Sequence, residues 1–267
     1  MFVNELRVAV EAARAAGAVL RRWFDGGYTV HHKSRGIDDP VTEADTEANA
    51  VIRAHIAQHF ADDGWLSEET SDSPARLAKS RVWIVDPMDG TREFVRHVPE
   101  FAVSIALVDG GEPVLGVVYN PIHDEMIAGA RGTGVTLNGA PARVSSHGEL
   151  ATARIFASCS EFEAGEWEEF RGELQFRVLG SVAYKLGLLA AGRCDATFSL
   201  RPKNEWDVCA GSLLVEEAGG RVTGLDLQPL RFNQADPLRP GMIASNGHLH
   251  DALVALIREL EPKKLRP

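Results

Sequence analysis

Two aspartates and a threonine lie close together in the segment Asp86-Pro87-Met88-Asp89-Gly90-Thr91. The apolar run at residues 82–85 predicts a short buried strand that ends at Asp86. Pro87 then predicts a turn that returns Asp89 to the side of Asp86. Two carboxylates held together repel each other unless a cation lies between them. Oxygen ligands favour a hard cation, which means Mg²⁺, Mn²⁺ or Ca²⁺.

Gly90 and Thr91 follow the two aspartates and predict the start of a helix or turn. Free backbone N–H groups at such a position bind anions such as phosphate. A metal ion beside a phosphate indicates metal-assisted phosphoryl chemistry. Asp-Pro and Asp-Gly are also common turn formers, so this segment alone leaves an ordinary turn open.

Three further acids stand at the ends of predicted apolar elements, where ligands converge in layered folds. They are Asp45, Glu68 and Asp207. Each has a simpler interpretation: Glu68 beside Glu69 fits a solvated surface, and Asp45 and Asp207 fit the first turn of a helix. The metal-site interpretation therefore depends on all these acids meeting in space.

The elements around the acids are predicted from hydrophobic periodicity and turn residues. In the first half, helices are predicted at 4–24 and 42–60, and strands at 82–85, 101–108, 113–119 and 125–130, with hairpin turns at 109–111 and 136–139. In the second half, strands are predicted at 154–158, 176–179, 196–200 and 242–244, and helices at 163–171, 181–191, 206–218 and 249–260. The polar stretch 143–152 predicts a boundary between an N-terminal half, 1–150, and a C-terminal half, 151–267.

Composition limits the partners of the 267-residue chain. A formal net charge of -10 argues against binding to a nucleic-acid polymer or an acidic membrane surface. The three cysteines have no paired spacing, and the N-terminal segment is charged and amphipathic. We expect a cytoplasmic protein without disulfides, signal peptide or membrane span.

Taken together, the motifs resemble the inositol monophosphatase superfamily of Mg²⁺-dependent, lithium-sensitive phosphatases. The segment 83–94 is similar to the family pattern W-x-x-D-P-[ILM]-D-G-T-x-x-F, and 205–220 is similar to W-D-x-A-[AG]-G followed by E-A-G-G. Residues 66–69, preceded by 41–45, form the third match. The resemblance implies an α+β fold, the layered α-β-α-β-α sandwich, and a homodimer.

The resemblance also implies roles for individual residues. Glu68, Asp86 and the carbonyl of Met88 would hold one ion, and Asp86, Asp89 and Asp207 a second. A third, weaker ion would contact Glu68 through water. Asp45 and Thr91 would position or deprotonate the attacking water, with Glu68 as an alternative base. The substrate phosphate would be bound by Gly90 and Thr91, with Lys33 near the same site.

The substrate is predicted from departures from the inositol-selective pattern. Glu93 replaces the usual asparagine, which resembles the 3′(2′),5′-bisphosphate nucleotidases of the superfamily. Four residues are expected to bind a second phosphate: Ser181, Lys185, Arg201 and Lys203. We therefore expect hydrolysis of 3′-phosphoadenosine 5′-phosphate, a small phosphorylated metabolite. An inositol or other sugar-phosphate phosphatase is the alternative, and a non-catalytic metal-binding regulatory protein is the alternative from a different class.

Overall fold

The computed structural model describes residues 2–32 and 40–261. Seven α-helices are present in this part of the chain: α1 (Val3–Phe24), α2 (Glu43–His59), α3 (Thr91–Val95), α4 (Cys159–Glu163), α5 (Val182–Ala190), α6 (Glu205–Glu217) and α7 (His250–Leu260). Short 3₁₀ helices occupy Pro74–Ala78, Leu150–Thr152 and Glu168–Phe170.

The larger sheet has seven strands in the order in which they occur along the chain. They are β3 (Gly64–Ser67), β4 (Arg81–Asp89), β5 (Ala102–Asp109), β6 (Glu112–Asn120), β7 (Glu125–Ala130), β8 (Gly134–Leu137) and β9 (Ala140–Ala142). Only the β3–β4 pair is parallel. A preceding two-stranded ribbon pairs β1 (Val30–His32) with β2 (Pro40–Thr42).

The smaller sheet has five strands and mixed pairing, in the order β11-β10-β12-β16-β14. These strands are β10 (Ile155–Ser158), β11 (Phe176–Leu179), β12 (Ala196–Ser199), β14 (Arg221–Thr223) and β16 (Met242–Ser245). A second ribbon pairs β13 (Lys203–Asn204) with β15 (Leu238–Arg239).

The layers follow from where the apolar side chains are buried. Helices α1 and α2 pack on one face of the larger sheet, and α5 and α6 pack on its other face. The same two inner helices contact the smaller sheet, and α7 covers the far side of that sheet. The expected α-β-α-β-α sandwich is thereby confirmed, whereas the half-boundary near residue 150 stays a prediction.

Two predictions of local structure are wrong. The strand before the acids does not stop at Asp86, because β4 continues to Asp89 through a register shift opposite β5. That bulge accommodates Pro87, which has no N–H for the ladder. The predicted helix at 163–171 is instead the short α4 and a 3₁₀ turn, separated by Gly165 at φ 78°. A glycine in this left-handed conformation ends a helix.

Candidate active site

The bulge in β4 brings two acids of one strand toward the same point. Asp86 is almost fully buried, and its Oδ1 accepts a hydrogen bond of 2.9 Å from the backbone N–H of Met88. Asp89, at the end of the strand, has a carboxylate oxygen within 4.8 Å of one from Asp86. The two carboxylates converge as the sequence predicted, but a bulge within the strand brings them together and not a turn after it.

Asp207 joins the pair from the first turn of α6. Its Oδ2 accepts a 3.0 Å hydrogen bond from the N–H of Asn204, which forms a capping box at the helix N-terminus. One carboxylate oxygen each from Asp86, Asp89 and Asp207 lies within 4.8 Å of the others. The helix-cap and metal-ligand interpretations of Asp207 are therefore compatible, because different oxygens can serve them.

The electrostatics of Asp86 and Asp207 favour a cation among the three acids. Burial raises the pKa of Asp86 well above its ordinary value, and the charges of Glu68, Asp89 and Asp207 raise it further. The pKa of Asp207 is raised in the same way, first by burial and then by Asp89 and Glu68. Close carboxylates that are buried or half-buried and offer only oxygen fit a hard divalent cation, so the residues present fit Mg²⁺.

The pair Asp45 and Thr91 lies beside these acids. The Thr91 hydroxyl is 3.0 Å from Asp45 Oδ1 and 3.2 Å from the carbonyl oxygen of Met88. Asp45 Oδ2 accepts hydrogen bonds of 2.7 Å from both the N–H and the hydroxyl of Thr42, the N-cap of α2. Burial raises the pKa of Asp45 to about 6, against the lowering effect of these hydrogen bonds.

A cavity of about 220 Å³ is lined by Thr91 and by the three acids Asp86, Asp89 and Asp207. Its acidic lining residues are Glu68, Asp86, Asp89, Glu93 and Asp207, and its basic ones are Arg92, Lys185 and Lys203. The cavity is also lined by Met88, Gly90, Thr91, Ser158, Cys159, Ser160, Gly180, Ser181, Val182 and Asn204. Gly90 precedes α3 at φ 105°, where a Cβ would meet the carbonyl oxygen of Glu100 at 3.0 Å, so glycine is required there.

The residues expected to bind substrate differ in where the structure places them. Arg201 does not line the cavity, and the hydroxyl of Ser181 is already hydrogen-bonded to the protein. Arg201 is exposed, pairs with Glu166 and is absent from the described residues that line the cavity. Ser181 lines it, but its hydroxyl donates a 2.7 Å hydrogen bond to Asp89 Oδ2. Lys33 lies outside the described residues.

The two remaining lysines have protein partners. The Lys203 ammonium is 2.9 Å from Glu161 Oε1, and both side chains are largely buried. The Lys185 ammonium donates to backbone carbonyls of the turn before α5, at 3.0 Å for Leu179 and for Ser181. Substrate binding by Lys185 and Lys203 stays a prediction.

Glu161 and the backbone N–H of Ala183 make contacts at the site that sequence reasoning missed. Glu161 is buried and accepts hydrogen bonds from Ser199 and Lys203. The N–H of Ala183 donates to Asp89 Oδ2 at 2.6 Å. No sequence signal identifies either, because a backbone N–H has no side-chain signature and Glu161 stands among several exposed acids.

Within the described ranges, none of the helices has the length and apolar character needed to cross a bilayer.

Comparisons with known proteins agree with this geometry. Residues 3–261 match the sequence model of the inositol monophosphatase family. The chain is 37% identical to inositol monophosphatase 3 of Solanum lycopersicum, over 95% of this chain and 96% of that protein. It is 34% identical to the fructose-1,6-bisphosphatase/inositol-1-monophosphatase of Thermotoga maritima, over 97% of each. The solved structure of the Thermotoga maritima IMPase superposes with a TM-score of 0.86 at 32% identity, covering 98% of this chain and 100% of that one.

Proposed function

The chain belongs to the inositol monophosphatase family of phosphoric monoester hydrolases, and we propose that its substrate is the phosphate monoester of a polyhydroxylated ring, inositol monophosphate first. This choice replaces the bisphosphate nucleotidase expected from the sequence. Relatives that align over nearly their whole length carry inositol monophosphatase in their names, which supports the alternative over the first expectation.

The observation that carries the proposal is the pairing of the basic residues expected to bind a second phosphate. Arg201 pairs with Glu166, Lys203 with Glu161, and Lys185 with backbone carbonyls. A cation that already has a close acidic or carbonyl partner adds little to the binding of a further anion, because breaking the first contact offsets the gain. A substrate with one phosphate and neutral hydroxyls fits such a cavity better than a bisphosphate.

Family members depend on Mg²⁺, and the acids described above are the groups that would hold it. Glu68, Asp86, Asp89, Asp207 and the carbonyl of Met88 are the proposed ligands. When bound, Mg²⁺ neutralises charge on the phosphate and stabilises the entering and leaving oxygens. We include two or three ions per site, with Mn²⁺ as a substitute, in the proposal.

The chain's own groups would handle the proton and the phosphate. Because Thr91 donates its hydrogen to Asp45, its oxygen keeps lone pairs with which to accept a proton of the attacking water. Glu68 on the same cavity is the alternative base. The N–H groups of Gly90 and Thr91, at the start of α3, would bind the phosphate oxygens.

A homodimer, inhibition by lithium and a cytoplasmic location complete the proposal. They come from the resemblance and from cysteine use in the sequence. Sedimentation of the purified protein and a lithium titration of its phosphatase activity would test the first two.

The substrate is tested by comparing kcat/KM for three esters at saturating Mg²⁺. The esters are inositol 1-phosphate, fructose 1,6-bisphosphate and 3′-phosphoadenosine 5′-phosphate, and EDTA provides the blank. We expect the inositol ester to give the highest kcat/KM. A higher kcat/KM for the adenosine bisphosphate would overturn the proposal and restore the nucleotidase interpretation.

A further inference from the structure

Lys185 is a buried lysine whose ammonium is surrounded by backbone carbonyls. Its side chain lies on the first turn of α5 with 2% of the residue exposed. The ammonium is 3.0 Å from the carbonyl oxygens of Leu179 and Ser181 and 3.5 Å from that of Gly180. An ammonium has three N–H donors, so these three successive carbonyls account for all of them.

The three carbonyls belong to a turn with an unusual backbone. Ser181 has φ 54° and ψ 117°, a region that non-glycine residues rarely occupy. At Gly180, a Cβ would lie only 2.3 Å from Cγ of Glu93. Such a conformation persists only where its surroundings hold it, and the shared contact with Lys185 is one such restraint.

The same turn holds Asp89. Asp89 Oδ2 accepts a hydrogen bond of 2.7 Å from the Ser181 hydroxyl and one of 2.6 Å from the N–H of Ala183. The hydroxyl oxygen of Ser181 in turn accepts a hydrogen bond of 3.0 Å from the N–H of Tyr184. One oxygen of Asp89 is thus held by the N-terminus of α5, and its other oxygen is available to a cation.

We propose that Lys185 is a positioning residue for the cation site: its ammonium holds the carbonyls at 179–181, and this turn holds Asp89 in the orientation that binds metal. The proposal rests on the metal-dependent function proposed above and gives Lys185 a role that requires no contact with metal or substrate. It also explains why Lys185 lies at the cavity although the proposed substrate has only one phosphate. Groups that orient metal ligands typically contribute 10–100-fold to metal affinity.

The test measures Mn²⁺ binding by isothermal titration calorimetry on the full-length protein without substrate. The variants are Lys185→Met, Ser181→Ala and the double variant. Lys79→Met is the matched control, since Lys79 is exposed outside the cavity and its removal changes the net charge equally. We expect Mn²⁺ affinity to fall roughly 10–100-fold in each single variant and to stay unchanged in the control.

The double variant tests whether Lys185 acts on Asp89 through the turn at residues 179–181. If Lys185 acts through the turn, its removal adds little once the Ser181 hydroxyl is gone, so the two losses will be clearly less than additive. Fully additive losses, or an Mn²⁺ affinity of Lys185→Met within twofold of the parent, overturn the proposal. Should Lys185→Met fail to fold by circular dichroism, an unchanged Mn²⁺ affinity in Ser181→Ala overturns it equally.

Steady-state kinetics separates this role from substrate binding. At saturating Mg²⁺ we expect the KM for inositol 1-phosphate in Lys185→Met to stay within about threefold of the parent. A tenfold rise in KM with unchanged Mn²⁺ affinity would assign Lys185 to the substrate. Failure of the parent protein to hydrolyse the inositol ester would contradict the proposed substrate alone, because the Mn²⁺ titrations contain none.

Discussion

Thr91 links Asp45 of α2 to the carbonyl oxygen of Met88 in β4. Its hydroxyl donates to Asp45, and Asp45 is itself fixed by two hydrogen bonds from Thr42. An oxygen whose hydrogen is held in this way presents its lone pairs in a defined direction. In the proposed reaction, this direction is where the attacking water gives up its proton.

Thr91→Ala removes that acceptor and leaves every proposed metal ligand in place. We expect kcat for phosphate release to fall by roughly 10²–10⁴-fold, with Mn²⁺ affinity close to that of the parent. Thr91→Ser keeps the hydroxyl and is the control, in which most of kcat should remain. A Thr91→Ala protein with near-parent kcat would shift the role of base to Glu68.

The positions of the site residues differ in how well sequence alone predicts them. The convergence of Asp86, Asp89 and Asp207 was predictable, because each stands in or beside an apolar element near an end where ligands converge in layered folds. Ser181 and Arg201 were not predictable in this way. Whether Ser181 binds a ligand or Asp89 depends on how α5 meets β4, which is a long-range contact that no local pattern contains.

At the scale of elements, Arg76 ties the segment after Glu68 to the loop before β15. The residue is 3% exposed. Its guanidinium donates to Asp72 twice, to the Asn233 side chain at 2.6 Å and to the Gln234 carbonyl at 2.9 Å.

The N–H groups of Asn233 and Gln234 donate to the buried Glu205 at the start of α6. The 3₁₀ helix Pro74–Ala78 is thereby joined to the helix that carries Asp207.

Arg76→Met breaks this connection and leaves the half-buried acceptors on Asn233 and Gln234 without their donors. We expect the free energy of unfolding, measured in urea, to fall by about 3 kcal/mol. Arg7→Met is a matched control, because Arg7 also pairs with an acid four residues away, Glu11, but on the surface, where such pairs contribute under about 1 kcal/mol. Equal losses in the two variants would mean that the buried contacts add nothing.

The start of α7 makes the stability of the fold depend on pH. His250 is 1% exposed, with its ring nitrogens 3.2 Å from the hydroxyls of Ser245 and Thr223. Burial lowers the pKa of His250 to about 4, with a further lowering by Arg221 and an opposing effect of Asp251. The unfolded chain, with an ordinary histidine, binds the proton at higher pH than the folded one. The stability that His250 contributes is therefore complete above pH 6.5 and is lost as the pH falls toward 4.

Urea unfolding at pH 7.5 and pH 5.0 measures this effect. Relative to a His250→Asn variant, the parent should lose about 2 kcal/mol more between the two pH values, at about 1.4 kcal/mol for each unit below 6.5. Comparison with the variant removes the contribution of the buried carboxylates, which changes with pH in both proteins. The same pH dependence in parent and variant would contradict a neutral, buried imidazole.

Elements with one strong periodic pattern were predicted well, and elements fixed by tertiary contacts were not. The apolar face of α1 and the capping box of α2 are local signals, and both helices lie within a residue or two of their predicted bounds. In contrast, the prediction of a helix at 163–171 did not account for Gly165 or for the burial of Glu161. The side chain of Glu161 holds α4 in place through its contacts with Ser199 and Lys203. The charge pattern there was typical of an exposed helix, and only the contact with β12 and β13 makes the acid internal.

At the scale of the whole molecule, the proposed cation site lies where two layers meet. Asp86 and Asp89 come from the larger sheet, and Asp207 comes from the inner helix α6 that packs on it. The spacing of these layers is set partly by glycine: a Cβ at Gly116 of β6 would lie 2.5 Å from the carbonyl oxygen of Ala210 in α6. Backbone-to-backbone approach of this kind cannot be relieved by a rotamer change, so α6 must move if Gly116 gains a side chain.

Gly116→Ala tests whether this packing distance serves the site. We expect a loss of about 1–3 kcal/mol in the free energy of unfolding. Because α6 carries Asp207 away from Asp86 when it moves, Mn²⁺ affinity should fall as well. Gly148→Ala is the control, since Gly148 is exposed with no atom within 4 Å of the added Cβ, and its stability should change by under about 1 kcal/mol. If Gly116→Ala is destabilised but binds Mn²⁺ as the parent does, the three carboxylates tolerate a shift of the layer that carries one of them, and the spacing of α6 matters for stability alone.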